Sequence, residues 1–210
     1  MMGKTHMLGG LATGAGITLA VNLIFPENGI ELASASAFMT SATISALLPD
    51  VDEKNSTAGR KLIAIPIALF ILKVFLFIIE MISIGSFRKK IKEIRKALNH
   101  RGLFHWLITW FVFSLIMIIL GVIAYFILHE TEAGKISLFV ILPTLAGFLP
   151  GYLSHLLLDM ISGRLQLLAP FSKKWYGIPV FKTGGFLEVY IFRPLLIGLI
   201  IYAILPFLHF

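Results

Sequence analysis

Residues 104–128 read FHWLITWFVFSLIMIILGVIAYFIL and contain no lysine, arginine or acidic residue. An α-helix needs roughly 20 consecutive apolar residues to cross the hydrocarbon core of a bilayer. This segment is therefore predicted to be a transmembrane helix, and it is the clearest one in the chain. A water-soluble domain would have to bury such a helix on all sides, so lipid is the expected solvent.

The rest of the chain has the same apolar character. Its 210 residues are 58% hydrophobic and only 14% charged, whereas soluble domains are about one quarter charged. We therefore predict one all-α integral membrane domain over residues 1–210, a polytopic bundle of about five to six hydrophobic segments. The fifth of these segments is expected to be broken by Pro143 and Pro150. The segments besides 104–128 are Thr5–Phe25, Leu32–Leu48, Leu62–Ile84, Ile136–Met160 and Phe186–Leu208.

A basic segment separates the third and fourth hydrophobic segments. Residues 87–98, FRKKIKEIRKAL, place apolar side chains at i, i+4, i+7 and i+11 among lysines and arginines. This spacing predicts an amphipathic helix at the bilayer surface, which would attract anionic lipid head groups. A solvated basic loop is the alternative.

Positive charge also predicts the orientation of the chain. The net charge is +7, and in a multi-spanning protein such an excess indicates the cytoplasmic side rather than nucleic-acid binding. The basic segment at 88–101 is expected inside, and the acidic turn at 130–132 outside. Because Arg60 and the basic segment both favour the inside, Leu62–Ile84 is interpreted as a re-entrant or surface-lying hairpin, broken near Pro66. Three further lysines are expected inside: Lys173, Lys174 and Lys182.

Four groups of polar residues lie at the ends of hydrophobic segments, all at the predicted cytoplasmic face. Ionisable residues in such positions are costly and are candidates for function. His155 and Asp159 are spaced i, i+4 and therefore share a helix face. The groups are TH at 5–6, LPDVD at 48–52, HRGLFH at 100–105 and SHLLLD at 154–159.

These residue types suit a metal centre. The chain has no cysteine, so thiolate sites are excluded, and imidazole with carboxylate suits zinc, manganese or iron. The number of histidines and aspartates exceeds one tetrahedral shell, which favours two or more ions, or one ion with a general base. The predicted metal ligands are His6, Asp50, His100, His105, His155 and Asp159.

Each group also has a structural interpretation. A single histidine can lie at the membrane interface without a ligand role, and Asp50 with Asp52 can cap a loop. His155 and Asp159 can form a hydrogen-bonded pair between helices. Arg101 can be one more topological charge or a phosphate clamp. His129 and His209 belong to no group and are not assigned a function.

The combined motifs resemble the bacterial membrane-bound metal-dependent hydrolase family. The likeness rests on the four groups above and continues through nearly the whole chain, although Ser162 stands where the pattern has threonine. It implies a bacterial inner membrane enzyme. A fainter likeness in ligand order to zinc-dependent phospholipase C-type enzymes, which are all-α, implies phosphoester cleavage. The later parts of the match are LLAPF at 167–171, YGIP at 176–179, TGG at 183–185 and Glu188.

Together these observations predict a metal-dependent hydrolase, with zinc as the expected ion, that acts on a phosphoester of a membrane lipid or lipid-linked substrate. Asp52 is expected to act as general base and Arg101 to hold phosphate oxygens. Thr5, Ser154, Ser162 and Glu188 are expected beside the ligands or the substrate, and the loop 162–185 is expected to form part of the substrate wall. The alternatives are a membrane scaffold that binds lipid, or a metal-ion transporter. Transport is disfavoured because the polar residues stop at one face.

Overall fold

The computed structural model describes residues 2–25, 30–53, 55–61, 64–98 and 102–208, and the regular elements in these ranges are helices. A single antiparallel bridge joins Leu165 and Tyr176. The α-helices are α1 (Gly3–Ile24), α2 (Leu32–Ser45), α3 (Thr57–Lys61), α4 (Ala64–Ile82), α5 (Gly85–Ala97), α6 (Leu107–Leu128), α7 (Glu132–Ser162) and α8 (Arg193–Ile204). Short 3₁₀ turns occupy Leu48–Asp52, Leu103–His105 and Leu205–Leu208, and a π-helical segment, Leu187–Phe192, leads into α8.

The predicted all-α polytopic architecture is confirmed. Six helical stretches in the described ranges are long and apolar enough to cross a membrane, one for each predicted segment. The expected break at Pro143 and Pro150 is wrong, because α7 runs through both prolines as one helix. Proline is tolerated in membrane helices where neighbouring groups satisfy the freed carbonyls. The hydroxyl of Ser34 in α2, for example, donates to the carbonyl of Phe139, four residues before Pro143, at 2.6 Å.

Helices α1, α2 and α7 pack with their backbones in close contact, with glycines at the points of contact. A Cβ atom added to Gly151 in α7 would lie 2.1 Å from the carbonyl oxygen of Ala42 in α2, and one added to Gly147 would lie 2.3 Å from that of Phe38. In α1, the same test at Gly10 gives 2.5 Å to Ala42. The glycine contacts therefore fix how closely α1, α2 and α7 approach one another, and they hold the ends of these helices together.

Helices α4 and α5 form a hairpin whose reversal differs from the prediction. Helix α4 is continuous from Ala64 to Ile82, with Pro66 in its first turn, so the expected break at this proline is wrong. The chain turns instead just beyond α4, where Gly85 has a φ of 63°. Proline is compatible with the first helical turn, whereas a positive φ favours glycine.

The hairpin returns the chain to its starting point. Glu80 accepts a hydrogen bond from Nε of Arg95 at 2.9 Å, and the Arg95 guanidinium lies 5.3 Å from the ring centre of Phe77, so α5 packs back against α4. Asp50, before the hairpin, and His105, after it, lie 3.5 Å apart. Because α5 carries six lysines and arginines, it cannot cross a bilayer. The chain therefore enters and leaves the pair α4–α5 at the same end of the bundle.

The predicted amphipathic helix is confirmed as a helix. In α5, Ile91 is buried, whereas Phe87 and Ile94 are 56% and 50% exposed. These two side chains offer apolar surface beside the basic residues, as expected for a helix at the bilayer surface.

The loop 163–185 packs across the end of α7 and the beginning of α6. The amide of Ile178 donates to the carbonyl of Met160, and the amide of Leu107 donates to that of Leu167. Leu165 is fully buried against Tyr152 and Leu156 of α7. The loop thus connects α7, which carries His155, with the beginning of α6, which follows His105.

Candidate metal centre

Five predicted ligands from four separate parts of the chain meet at one end of the bundle. His6 lies in the first turn of α1, Asp50 in the turn Leu48–Asp52, and His105 in the turn Leu103–His105, while His155 and Asp159 lie near the end of α7. All three histidines are fully buried and Asp159 is 2% exposed. The predicted convergence of these groups is therefore confirmed for the described residues.

Local structure explains how each ligand points inward. His155 and Asp159 occupy one face of α7 because they are spaced i, i+4. Pro49 lies near the start of the 3₁₀ turn Leu48–Asp52, and this turn places Asp50 beyond the end of α2. His105 lies in a 3₁₀ turn just before α6, closed by a 2.8 Å hydrogen bond from its amide to the Gly102 carbonyl. The sequence had predicted His105 within the first turn of the transmembrane helix itself.

Four donor atoms lie close together around the imidazoles of His105 and His155. His155 Nε2 lies 3.3 Å from His105 Nε2, 3.6 Å from Asp50 Oδ1 and 3.8 Å from Asp159 Oδ2. His105 Nε2 lies 3.5 Å from each of these two oxygens. A tetrahedral zinc ion with bonds of about 2.0–2.2 Å requires donors about 3.3–3.6 Å apart. The distances from His105 Nε2 to the other three atoms lie within this range, as expected for donors that can share one divalent ion.

His6 and Asp159 extend this arrangement on a second side. The imidazole of His6 stacks on that of His155, with ring centres 3.7 Å apart. Its Nε2 lies 3.3 Å from Asp159 Oδ1, the oxygen that does not face His105. The Asp159 carboxylate thus presents one oxygen to each side. Two overlapping groups of donors within 4.8 Å result: His6, Asp50 and His155, and His105, His155 and Asp159.

The ring nitrogens of His155 and His6 indicate a missing partner. His155 Nδ1 lies 2.7 Å from the carbonyl oxygen of Ala46, to which it can only donate, so its Nε2 carries a lone pair toward the other donors. Within the described ranges, neither ring nitrogen of His6 has a hydrogen-bond partner. Its 3.3 Å approach to Asp159 is close enough for an ion pair but lacks hydrogen-bond geometry. Buried polar atoms without partners are uncommon, and a metal ion would satisfy them.

The electrostatics of the centre favour positive charge. Burial alone would lower the pKa of His105, but hydrogen bonds with Asp159 and Asp50, together with the charges of these carboxylates, raise this pKa to about 9. The two carboxylates, Asp159 buried and Asp50 partly buried, therefore stabilise a cation between them, whether a proton or a metal ion.

A model of the YdjM inner membrane protein family matches residues 1–208 of the chain. The chain belongs to this family. With its apolar helices, it is therefore a multi-pass inner membrane protein. No curated protein and no solved structure matches it significantly.

Thr5 and Glu188 belong to a separate buried network that holds the start of α1. Glu188 is fully buried and accepts hydrogen bonds from the Thr5 hydroxyl, from the amide of Met2 at 2.9 Å and from the amide of Gly184 at 2.7 Å. Arg193 completes the network by donating from Nε to Thr5 Oγ1 at 2.8 Å. The network therefore holds Thr5, the residue before His6, rather than the metal-binding side chains themselves. The sequence alone assigns no role to Arg193. The signal that could have identified it is its position inside the last hydrophobic segment.

The remaining predicted residues have different surroundings. Ser154 donates to the Gly151 carbonyl of its own helix at 2.7 Å, and the Ser162 hydroxyl lies 3.4 Å from the carbonyl oxygen of Asp159. Asp52 ends the turn that carries Asp50 and is partly buried. His100, Arg101 and His209 lie outside the described residues. His129 forms an ion pair with Glu130 at 2.9 Å, close to the start of α7 and away from the centre.

Proposed function

We propose that the protein is a membrane-embedded, metal-dependent hydrolase that cleaves a phosphoester of a lipid or lipid-linked substrate. The observation that supports this proposal most is the cluster of histidine and aspartate donors beside a polar cavity of about 390 Å³, with Asp50 common to both. A purely structural cluster has no need of an adjoining cavity, whereas an enzyme requires space for substrate next to its ion.

The donors fit a zinc ion. Imidazole nitrogens and carboxylate oxygens, without sulfur, are typical of catalytic zinc. His105, His155, Asp50 and Asp159 would hold this ion, while His6 with the second oxygen of Asp159 would serve a further ion. A divalent ion in this position acts as a Lewis acid and lowers the pKa of water bound to it.

The chain's own residues would position the reactants and move the proton. In hydrolysis, a bond forms between the water oxygen and phosphorus while the ester P–O bond breaks, and the water proton passes finally to the departing alcohol. Asp52, two residues after the ligand Asp50, is our proposed acceptor for that proton. Ala46 holds the His155 ring through its carbonyl oxygen, so the donor nitrogen keeps its orientation throughout the cycle.

A lipid substrate is favoured by the position of the centre. The donors lie at helix ends, where a polar head group can reach them while its chains stay among the helices. The hairpin α4–α5 begins next to Asp50 and presents basic side chains with exposed Phe87 and Ile94. Such a surface attracts anionic lipid. We place this end of the bundle at the cytoplasmic face because basic residues favour that side.

Phosphate release from lipid phosphates in mixed micelles tests the proposal. The zinc-loaded protein is expected to release phosphate, and His155→Gln is expected to abolish release because the variant loses a donor nitrogen. Lys135→Gln is a control at the opposite end of α7, where Lys135 pairs with Glu132. Phosphodiester lipids are followed by the alcohol that cleavage liberates, since a diester yields a phosphomonoester rather than free phosphate. No cleavage by the zinc-loaded protein of a panel of lipid phosphomonoesters and phosphodiesters would contradict the proposal, as would equal cleavage by His155→Gln.

A further inference from the structure

The polar cavity beside Asp50 has a wall that the metal donors do not explain. It lies between the first turn of α1 and the segment from Glu53 to Arg60, and its volume is about 390 Å³. Lys4 enters its wall from α1 and Arg60 from α3. Two cations from separate elements therefore border one cavity that also reaches a metal donor.

These two cations are available to a ligand. Among the described residues, neither Lys4 nor Arg60 has a carboxylate within ion-pair distance, although the wall also contains Glu53 and Asp50. The Glu53 carboxylate instead accepts the amide of Asn55 at 3.1 Å, and Asp50 faces His105 and His155 at 3.5 and 3.6 Å. Each carboxylate in the wall therefore has other partners.

We propose that Lys4 and Arg60 form a phosphate-binding subsite that holds the phosphate of the substrate next to the metal centre. This inference rests on the proposed function and specifies the substrate as one with an accessible anionic phosphate group. Arginine can bind two phosphate oxygens with its planar guanidinium, and lysine contributes a compact charge. Ser56 and Thr57 supply further polar surface, and the volume suits a phosphorylated head group.

Lys4 and Arg60 would bind the phosphate charge of the substrate, which is the role that the sequence predicts for Arg101. A phosphate held between Lys4 and Arg60 would lie on the Asp50 side of the donors, so that its ester bond approaches the ion from the open cavity. The remainder of a lipid substrate would then extend along α1 toward the bilayer, because Lys4 lies at the end of that apolar helix.

Binding of inorganic phosphate to the zinc-loaded protein, measured by titration calorimetry, tests the subsite. Removing one charge-assisted hydrogen bond to phosphate is expected to weaken binding by about tenfold or more, so Lys4→Gln with Arg60→Gln should raise Kd by about 100-fold. Lys135→Gln removes a positive charge far from the cavity and should leave Kd unchanged. An unchanged Kd in the double variant, with normal zinc content, would overturn the subsite.

The same titration distinguishes failure of the subsite from failure of the proposed function. If the wild-type protein takes up no zinc, the hydrolase proposal fails, whereas phosphate binding that still depends on Lys4 and Arg60 supports the subsite. Competition by short-chain phosphatidate in micelles and by soluble glycerol phosphate identifies the source of the phosphate. Tighter binding of the lipid is expected, and equal affinity would overturn a lipid head group as the ligand.

Discussion

Replacing Asp159 with asparagine perturbs the centre with almost no change in side-chain volume. The carboxylate offers Oδ2 to His105 and His155 at 3.5 and 3.8 Å, and Oδ1 to His6 at 3.3 Å. Asparagine keeps one oxygen but removes the negative charge and the second oxygen. Loss of an outer partner of a ligand already costs roughly 10–100-fold in metal affinity. For a ligand that faces three imidazoles, we expect zinc affinity to fall by about 100-fold or more.

This decrease in affinity can be converted to a change in thermal stability. An ion present at 100 times its Kd stabilises the folded state by about 2.7 kcal/mol, whereas a protein with 100-fold weaker affinity gains only about 0.4 kcal/mol at the same concentration. The difference of about 2.3 kcal/mol corresponds to a Tm difference of about 5–9 °C for a chain of this size.

Tryptophan fluorescence during heating in detergent, with zinc and with chelator, measures this difference. The wild-type Tm should rise with zinc and that of Asp159→Asn should rise far less. Glu130→Gln makes the same chemical change at an exposed position near the other end of α7 and should respond as the wild type does. An equal zinc-dependent rise in Asp159→Asn and wild type would refute the assignment of Asp159 as a ligand.

Three further substitutions test how the fold supports the centre. Gly151→Ala should destabilise the protein by about 1–3 kcal/mol in chemical unfolding, because the added Cβ would lie 2.1 Å from the Ala42 carbonyl oxygen. Gly16→Ala is the control and should not destabilise the protein, because a Cβ there meets nothing within 4 Å. Glu188→Gln should lower Tm even in chelator, since it weakens the network at the start of α1; a Tm decrease seen only with zinc would contradict this. Glu80→Gln should destabilise the protein by about 1–3 kcal/mol, because it removes the charge of a buried carboxylate that Arg95 contacts. It should also speed tryptic cleavage within α5, and an unchanged cleavage rate would show that the ion pair does not hold the hairpin.

The fold and much of the centre could be predicted from the sequence because membrane helices depend on composition within a single segment. Runs such as 107–128 need no tertiary information to be recognised. The convergence of His6 and His155 followed from alternating crossings, since groups at the same face of a bundle must lie near one another. Their contact at 3.7 Å between ring centres could not be predicted, because it depends on glycine contacts between helix backbones.

The errors in prediction have several physical causes. Proline was expected to break α7 and α4, but tertiary packing and first-turn placement made both prolines compatible with helix. The reversal at Gly85 was missed because a single positive φ leaves little trace in a hydropathy pattern. The sequence indicates only a topological role for Arg60, since it cannot show that Arg60 and the distant Lys4 border one cavity.

Metal content of the detergent-purified protein, measured by plasma mass spectrometry, tests the central claim most directly. We predict at least one equivalent of zinc per chain in the wild-type protein after exposure to zinc and removal of unbound ion. The double variant His105→Ala, Asp159→Ala is expected to lose it while remaining inserted in the membrane. Absence of metal from the wild-type protein, or equal metal in both proteins, would contradict the account.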